Sequence, residues 1–338
     1  MKLDTIGAIE ACYSGVEDDA TWLRDILGAL APLDQGAGMF AQVFRMEPDG
    51  RRPVEASVES LALAPGALHR VDASFTTFGR PAEMWTAMAP VDFALRRARQ
   101  VGARAHREVA RLFASEGLED TLGIFAAEPD GRIALVGAPI RSGARHLGGR
   151  WLHQLRMFSA HLGSSMRLRR ATSPRGPDAV LDPGGKVLDA FPGASGAART
   201  SLSDAVRRLN RARGPLRHAD PDEALQLWQG LVDGTWSLVD QCDRDGKHYV
   251  LARRNAPHVR DPKALTDRER AVLAFAALGH QNKFIAYLLG LSPSAVATHL
   301  ASARRKLGLS SRSELLREFA SLVRARPDES SPARPPGA

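Results

Sequence analysis

Between Pro262 and Arg326 the chain carries eleven Lys and Arg against four Asp and Glu, so most of its net charge of +8 sits in the last fifth of 338 residues. Cations gathered on so short a segment suit a polyanion, and duplex DNA carries roughly one phosphate charge per 1.7 Å of axis. Lys283 and the run Arg304, Arg305 and Lys306 are the phosphate-binding candidates. A charge run alone is usually a solvated helix face, so the reading depends on the surrounding residues.

Other chemistry is poorly supported by residue spacing. Cys12 and Cys242 are the only cysteines and make no CxxC or Cys/His pattern, which argues against a zinc site or a disulfide framework and suits a reducing cytoplasm. His146, His153 and His161 recur at roughly helical spacing without an acid at ligand distance. In PGASGA (192–197), Ala197 stands where a nucleophile elbow needs its last glycine, and DPGGK (182–186) lacks the Ser or Thr that follows the lysine of a phosphate loop. The expectation is therefore no catalysis, no metal and no cofactor. The first twenty residues lack a secretory pattern, and no run of about eighteen apolar residues predicts a membrane span.

The elements that must position the cations are legible. Thr266 and Glu269 have the spacing of a capping box, predicting a helix that runs to about Leu278 and stops at Gly279. A second helix is expected over about 281–289 and a third over about 293–307, with Ser292 as its cap and Pro293 in its first turn. Ala286, Gly290 and Val296 fit the close crossing, the turn and the returning contact of a helix-turn-helix. Val296, Leu300, Ala303 and Leu307 share one side of the third helix, leaving Ser294, Ala297, Thr298, Ala301 and Arg305 on the side that would face a major groove. A fourth helix is expected over about 311–324, and His299 is read as a packed histidine rather than a base reader.

The stretch LTDRERAVLAFAALGHQNKFIAYLLGLSPSAVATHLASARRKLGLSSRSEL resembles the LuxR-family DNA-binding domain throughout, from the LTxRE opening through NKxIA, LGLS and RKLG to SRSEL. The resemblance implies a four-helix domain that binds double-stranded DNA as a homodimer, with the fourth helix aiding dimerisation. It places phosphate contact on Lys283 and base or groove contact on Ala297, Thr298 and Ala301. Family members commonly have Lys or Arg at the positions of Ala297 and Ala301. Methyl contacts to thymine, or readout through Ser294, Thr298 and DNA shape, would take over here.

Upstream, four segments share the plan strand, Asp-Gly or Pro-Gly turn, strand: 38–58, 121–139, 179–190 and 236–254. Helical periodicity marks 17–31, 82–99, 105–116, 147–170, 201–211 and 222–232. The long stretch 147–170 is read equally as a signalling or dimerising helix and as a core helix. Linkers fall at 171–178, which holds Pro and Gly, and at 255–264, which holds two prolines. The fold class is multidomain α+β: two antiparallel α+β modules followed by an all-α four-helix helix-turn-helix domain. By order of elements, residues 1–170 look like a GAF-type sensor module and 177–255 like a PAS-type module, with 262–326 as the DNA-binding domain and 327–338 as a disordered tail. Phe40, Phe44, Trp85, Phe93, Phe113 and Phe125 are core residues or the lining of a small-ligand cavity, the core reading being preferred.

The function expected is a cytoplasmic, non-enzymatic transcription regulator with duplex DNA as partner. An unknown small molecule and RNA polymerase are further candidate partners. The alternatives are a regulator working through protein contacts only and an enzyme fused to a DNA-binding domain.

Overall fold

The computed structural model describes residues 3–15, 18–47, 52–63, 66, 89–128, 131–144, 147–170, 177–191, 194–242, 248–255, 265–307, 309, 311–316 and 319. Trp85, His146, most of both expected linkers, the tail 327–338 and the end of the expected fourth helix lie outside these residues.

Each of the four expected hairpins is present. Strands β1 (Gly38–Arg45), β2 (Val54–Leu61), β3 (Val91–Phe93), β4 (Leu118–Ala127) and β5 (Arg132–Arg141) form an antiparallel sheet in the order β2-β1-β5-β4-β3. Strands β6 (Ala179–Leu181), β7 (Val187–Ala190), β8 (Trp236–Cys242) and β9 (His248–Arg254) form a second, in the order β7-β6-β9-β8. The β6–β7 turn shows why its residues were chosen. Gly185 has φ +85° and donates to the Asp182 carbonyl at 2.9 Å, while the Asp182 carboxylate accepts from the Lys186 amide at 2.8 Å.

Alternation along β1, β4 and β5 splits the apolar residues of the first sheet between its two faces. Met39, Ala41, Val43, Ile124, Ala126 and Val136 join the main core. Phe40, Phe44, Phe125, Ile133 and Leu135 pack on the other face with Val109 and Phe113, which lie on a covering helix. Gly123 and Gly137 are direct cross-strand partners, and the rings of Phe125 and Phe40 lie over them. A Cβ at Gly137 would stand 2.1 Å from the Phe40 ring. Phe44 and Phe113 are fully buried, Phe40 and Phe125 nearly so, and Phe93 is half-buried.

Helices α1 (Thr5–Cys12), α2 (Asp19–Ala29), α3 (Ala94–Val101), α4 (Ala103–Ser115) and α5 (Gly149–Arg170) surround the first sheet. Helices α6 (Ala197–Arg213), α7 (Leu216–Ala219) and α8 (Pro221–Leu227) accompany the second. Three expectations are corrected. Residues 91–93, read as part of a helix, are a strand paired with β4, where Val91 faces Ile124 across the ladder. The helix read over 222–232 ends at Leu227, and beyond it Asp233 (φ +50°) and Gly234 (φ +65°) turn the chain back on itself. Helix α1 was not expected at all; it is capped by Asp4, whose carboxylate accepts from the Gly7 amide at 3.0 Å.

Helix α5 is the shaft of the molecule, with residues 157–166 all buried. It is a core helix. Its Ser159 hydroxyl donates to the Phe125 carbonyl of the first sheet. Its Gln154 donates to Asp222 of α8 at 2.8 Å. The buried ion pair Arg167–Glu128 is extended by Arg167 Nε donating to Asn255 Oδ1 at 3.0 Å, and Asn255 in turn donates to Ser164 O and Ser237 Oγ. A buried charge pair is tolerated when its remaining donors and acceptors are satisfied in this way. The hydrophobic core is continuous from Leu3 through both sheets to Phe319.

Candidate nucleic-acid interface

The C-terminal helices are α9 (Asp267–Ala277), α10 (Asn282–Leu289) and α11 (Pro293–Lys306), followed by helical residues 312–316 and 319. The capping box is formed: the Thr266 amide donates to Glu269 Oε2 at 2.8 Å, and the Glu269 amide to Thr266 Oγ1 at 3.3 Å. Gly279 (φ +85°) follows the end of α9, as expected of a stop signal. Helix α10 ends at Gly290, whose φ of +66° is left-handed and whose position would place a Cβ 2.2 Å from the Leu231 carbonyl. Both constraints require glycine. The chain then turns by 104° into α11, whose first turn is closed by the Ser292 hydroxyl accepting from the Ala295 amide at 3.1 Å. This bend falls within the usual range for a helix-turn-helix.

Helix α11 is two-sided, as its sequence pattern expected. Val296, Leu300 and Ala303 are buried with Ala286 at the crossing, and Leu307, the fourth of the inward set, is half-buried against the same core at the end of the helix. Ser294, Ala297, Thr298, Ala301, Arg304 and Arg305 are exposed, and Lys283 is exposed near the start of α10. His299 is half-buried. The hydroxyls of this outer face have partners in the helix or its cap: Thr298 Oγ1 donates to the Ser294 carbonyl at 3.0 Å, and Ser294 Oγ pairs with Ser292 Oγ at 2.9 Å.

Lys306 has a carboxylate partner within the bundle. Its ammonium donates to Glu269 Oε2 at 2.8 Å, tying the end of α11 to the capping box of α9. Burial would raise the Glu269 carboxyl, but hydrogen bonds from Lys306, Ser302 and Thr266 outweigh it and hold the group at about 2. Spacing alone could not show this, because Lys306 continues a run of exposed cations.

Sequence reasoning also missed how this bundle is held. The Tyr287 side chain of α10 is buried, and its hydroxyl donates to the Trp228 carbonyl at 3.1 Å. His161 of α5 lies beside it: Nε2 is 2.9 Å from the same carbonyl and Nδ1 is 3.2 Å from the Tyr13 hydroxyl. A carbonyl only accepts, so Nε2 carries the proton and Nδ1 accepts from Tyr13. Burial, partly offset by the bond to Trp228, lowers His161 to about 3, so the ring is neutral. The Arg167 guanidinium lies 5.5 Å from the centre of the Phe275 ring on α9. The one sequence-level signal was a phenol within the apolar run IAYLL, since a buried tyrosine hydroxyl needs a partner.

Among the described residues there is no group of three or more His, Cys, Asp or Glu that could hold a metal ion, and no single helix is long and apolar enough to cross a membrane.

A capped helix, a left-handed glycine turn and a second helix with an exposed face flanked by cations define a helix-turn-helix DNA-binding domain. Residues 263–319 match the model of the luxR family of bacterial regulatory proteins, and this segment is a LuxR-type domain. The chain is similar to the transcriptional regulatory protein FixJ of Rhizobium meliloti (strain 1021), with 33% identity over 84 residues, which is 24% of this chain and 41% of that protein. It thus spans about two fifths of that relative's length. Among solved structures, Escherichia coli SdiA is similar at a TM-score of 0.32 and 11% identity, over 90% of this chain and 91% of that one. SdiA in complex with octanoyl-rac-glycerol scores 0.28 at 12% identity, over 91% of each chain.

Proposed function

We propose that the chain is a transcription regulator that lays α11 in the major groove of duplex DNA. In this reading Ser294, Ala297, Thr298 and Ala301 face base edges, while Lys283, Arg304 and Arg305 neutralise phosphates. Lys306, the fourth cation of the sequence-based set, is assigned the bridge to Glu269. The observation that carries the reading is the two-sidedness of α11, with an apolar side closed in the bundle and an outer side that is exposed and flanked by cations.

Residues 1–170 and 177–255 are proposed as GAF-like and PAS-like control modules and 262–326 as the DNA-binding domain. The two antiparallel sheets fall on either side of the first linker, which supports that division. A homodimer on a roughly palindromic site, a cytoplasmic location, a small-molecule signal and contact with RNA polymerase belong to the same proposal. Electrophoretic shift of the full chain with genomic fragments tests it. Sequence-selective, salt-sensitive shifts are expected, and binding that is absent at low salt would favour a regulator working through protein contacts alone.

A further inference from the structure

We infer that the chain selects its DNA site by thymine 5-methyl groups, which it reads with a patch of methyls on α11 in place of hydrogen-bonding side chains. The inference rests on the DNA-binding reading and specifies its ligand: a half-site rich in thymine at the positions beneath the middle of the helix.

The outer face is unusual in what it offers. Ala297 and Ala301, one turn apart and both exposed, carry only methyl groups. Thr298 lies beside Ala297 and is exposed, and its hydroxyl proton is given to the Ser294 carbonyl of its own helix. While that bond holds, the hydroxyl has no proton for guanine O6 or N7 or for thymine O4. Ser294 and Ser292 pair with each other, and Ser292 also closes the helix start by accepting from Ala295. The first cations on this face are Arg304 and Arg305, beyond Ala301 and at the C-terminal end of α11. Two alanine methyls and the threonine γ-methyl are therefore the groups free of hydrogen-bonding duty at the centre of the surface. Thymine is the one base that presents a methyl in the major groove, so apolar contact there discriminates thymine from the other bases. Removing one buried methyl contact lowers affinity about fourfold.

The experiment selects binding sites for the full chain from a random duplex library, then replaces each thymine of the enriched half-site with deoxyuridine, which keeps every hydrogen-bonding group and loses only the methyl. About fourfold weaker binding at two or three central positions is expected. Two substitutions separate methyl from hydroxyl readout. Thr298→Ser, which keeps the hydroxyl and removes the methyl, should abolish discrimination at one position, whereas Thr298→Val, which keeps the methyl, should preserve it. Enriched sites indifferent to uracil, or a base preference altered by Thr298→Val and kept by Thr298→Ser, would overturn the methyl readout and leave DNA binding standing. Failure to enrich any duplex would overturn the DNA-binding reading itself, and this inference with it.

Discussion

His161 Nε2 lies 3.2 Å from the Tyr287 hydroxyl although 126 positions separate the two in the chain. The centre of the long core helix is thereby joined to the middle helix of the DNA-binding bundle. Both groups meet at the Trp228 carbonyl, and the Trp228 and Tyr287 rings pack against His161 at 5.5 and 6.0 Å. The bundle is held from its apolar back, and the face assigned to DNA remains exposed.

This joint should be sensitive to acid. His161 is lowered from its ordinary 6.5 to about 3 by burial, partly offset by Trp228. Between these values the unfolded chain binds the proton and the folded one does not. The histidine's contribution is thus complete above pH 6.5 and is lost progressively as pH falls toward 3. About 2 kcal/mol should be gone by pH 5. His280, half-buried between Phe275 and Phe284 and lowered to about 4 by burial, acts in the same direction. Urea midpoints measured from pH 7 to 5 should fall in the native chain and fall less steeply in His161→Gln, where the His161 part is gone. Parallel slopes in the two chains would contradict the assignment.

Tyr287→Phe removes a hydroxyl that donates to Trp228 and lies against His161, while keeping the ring. Loss of about 1 kcal/mol is expected in denaturant unfolding, because the Trp228 carbonyl retains His161 as a donor. A neutral result would mean that packing alone joins the bundle to the body.

Gly290→Ala should be more damaging than an ordinary glycine substitution. The left-handed φ disfavours alanine by about 1 kcal/mol, and the added carbon would meet the Leu231 carbonyl at 2.2 Å. A total of roughly 2–4 kcal/mol is expected, because both features must shift together. Gly279→Ala, at a φ of +85° but with no heavy atom within 4 Å of the added carbon, isolates the backbone part. Equal effects at the two glycines would show that the contact with Leu231 is not tight.

Lys306 and Arg305 are neighbours with different expected behaviour. Lys306→Met should lower stability, chiefly by leaving the buried Glu269 carboxylate without its ammonium, and should leave the salt dependence of DNA binding nearly unchanged. Arg305→Ala should do the reverse. Because Glu269 is held at about 2 against its ordinary 4.5, its contribution is present above pH 4.5 and disappears as pH falls toward 2. That acid-sensitive part should shrink in Lys306→Met.

What could be read in the sequence was local. The Thr266–Glu269 box, the Gly290 turn and the inward set Val296, Leu300 and Ala303 depend on spacings of three to six residues, and the structure places each as expected. The hairpins rest on turn glycines such as Gly185 and are equally local. What was not legible depends on distant partners. Helix α8 stops at Leu227 because the following residues turn back toward α10, with Gly230 against Leu288 O and Gly234 near Leu289 O. Residues 91–93 become a strand because β4 offers an edge. Helix α1 is short and apolar, with Thr5, Ile6, Ala8, Ile9 and Cys12 all buried, so it lacks the polar face that marks a helix in sequence. Lys306 looked like its neighbours until a carboxylate 37 positions away was found beside it.

If α11 and its flanking cations grip duplex DNA, binding must weaken steeply with salt. The most direct test is the affinity of the full chain for a selected duplex, measured by fluorescence anisotropy across a salt series, beside a Lys283→Ala/Arg305→Ala double variant. A steep fall of affinity with salt is expected in the native chain, with a log–log slope shallower by about 2 in the variant, roughly 0.9 for each phosphate contact removed. Absence of binding at low salt, or identical slopes for the two chains, would contradict that grip.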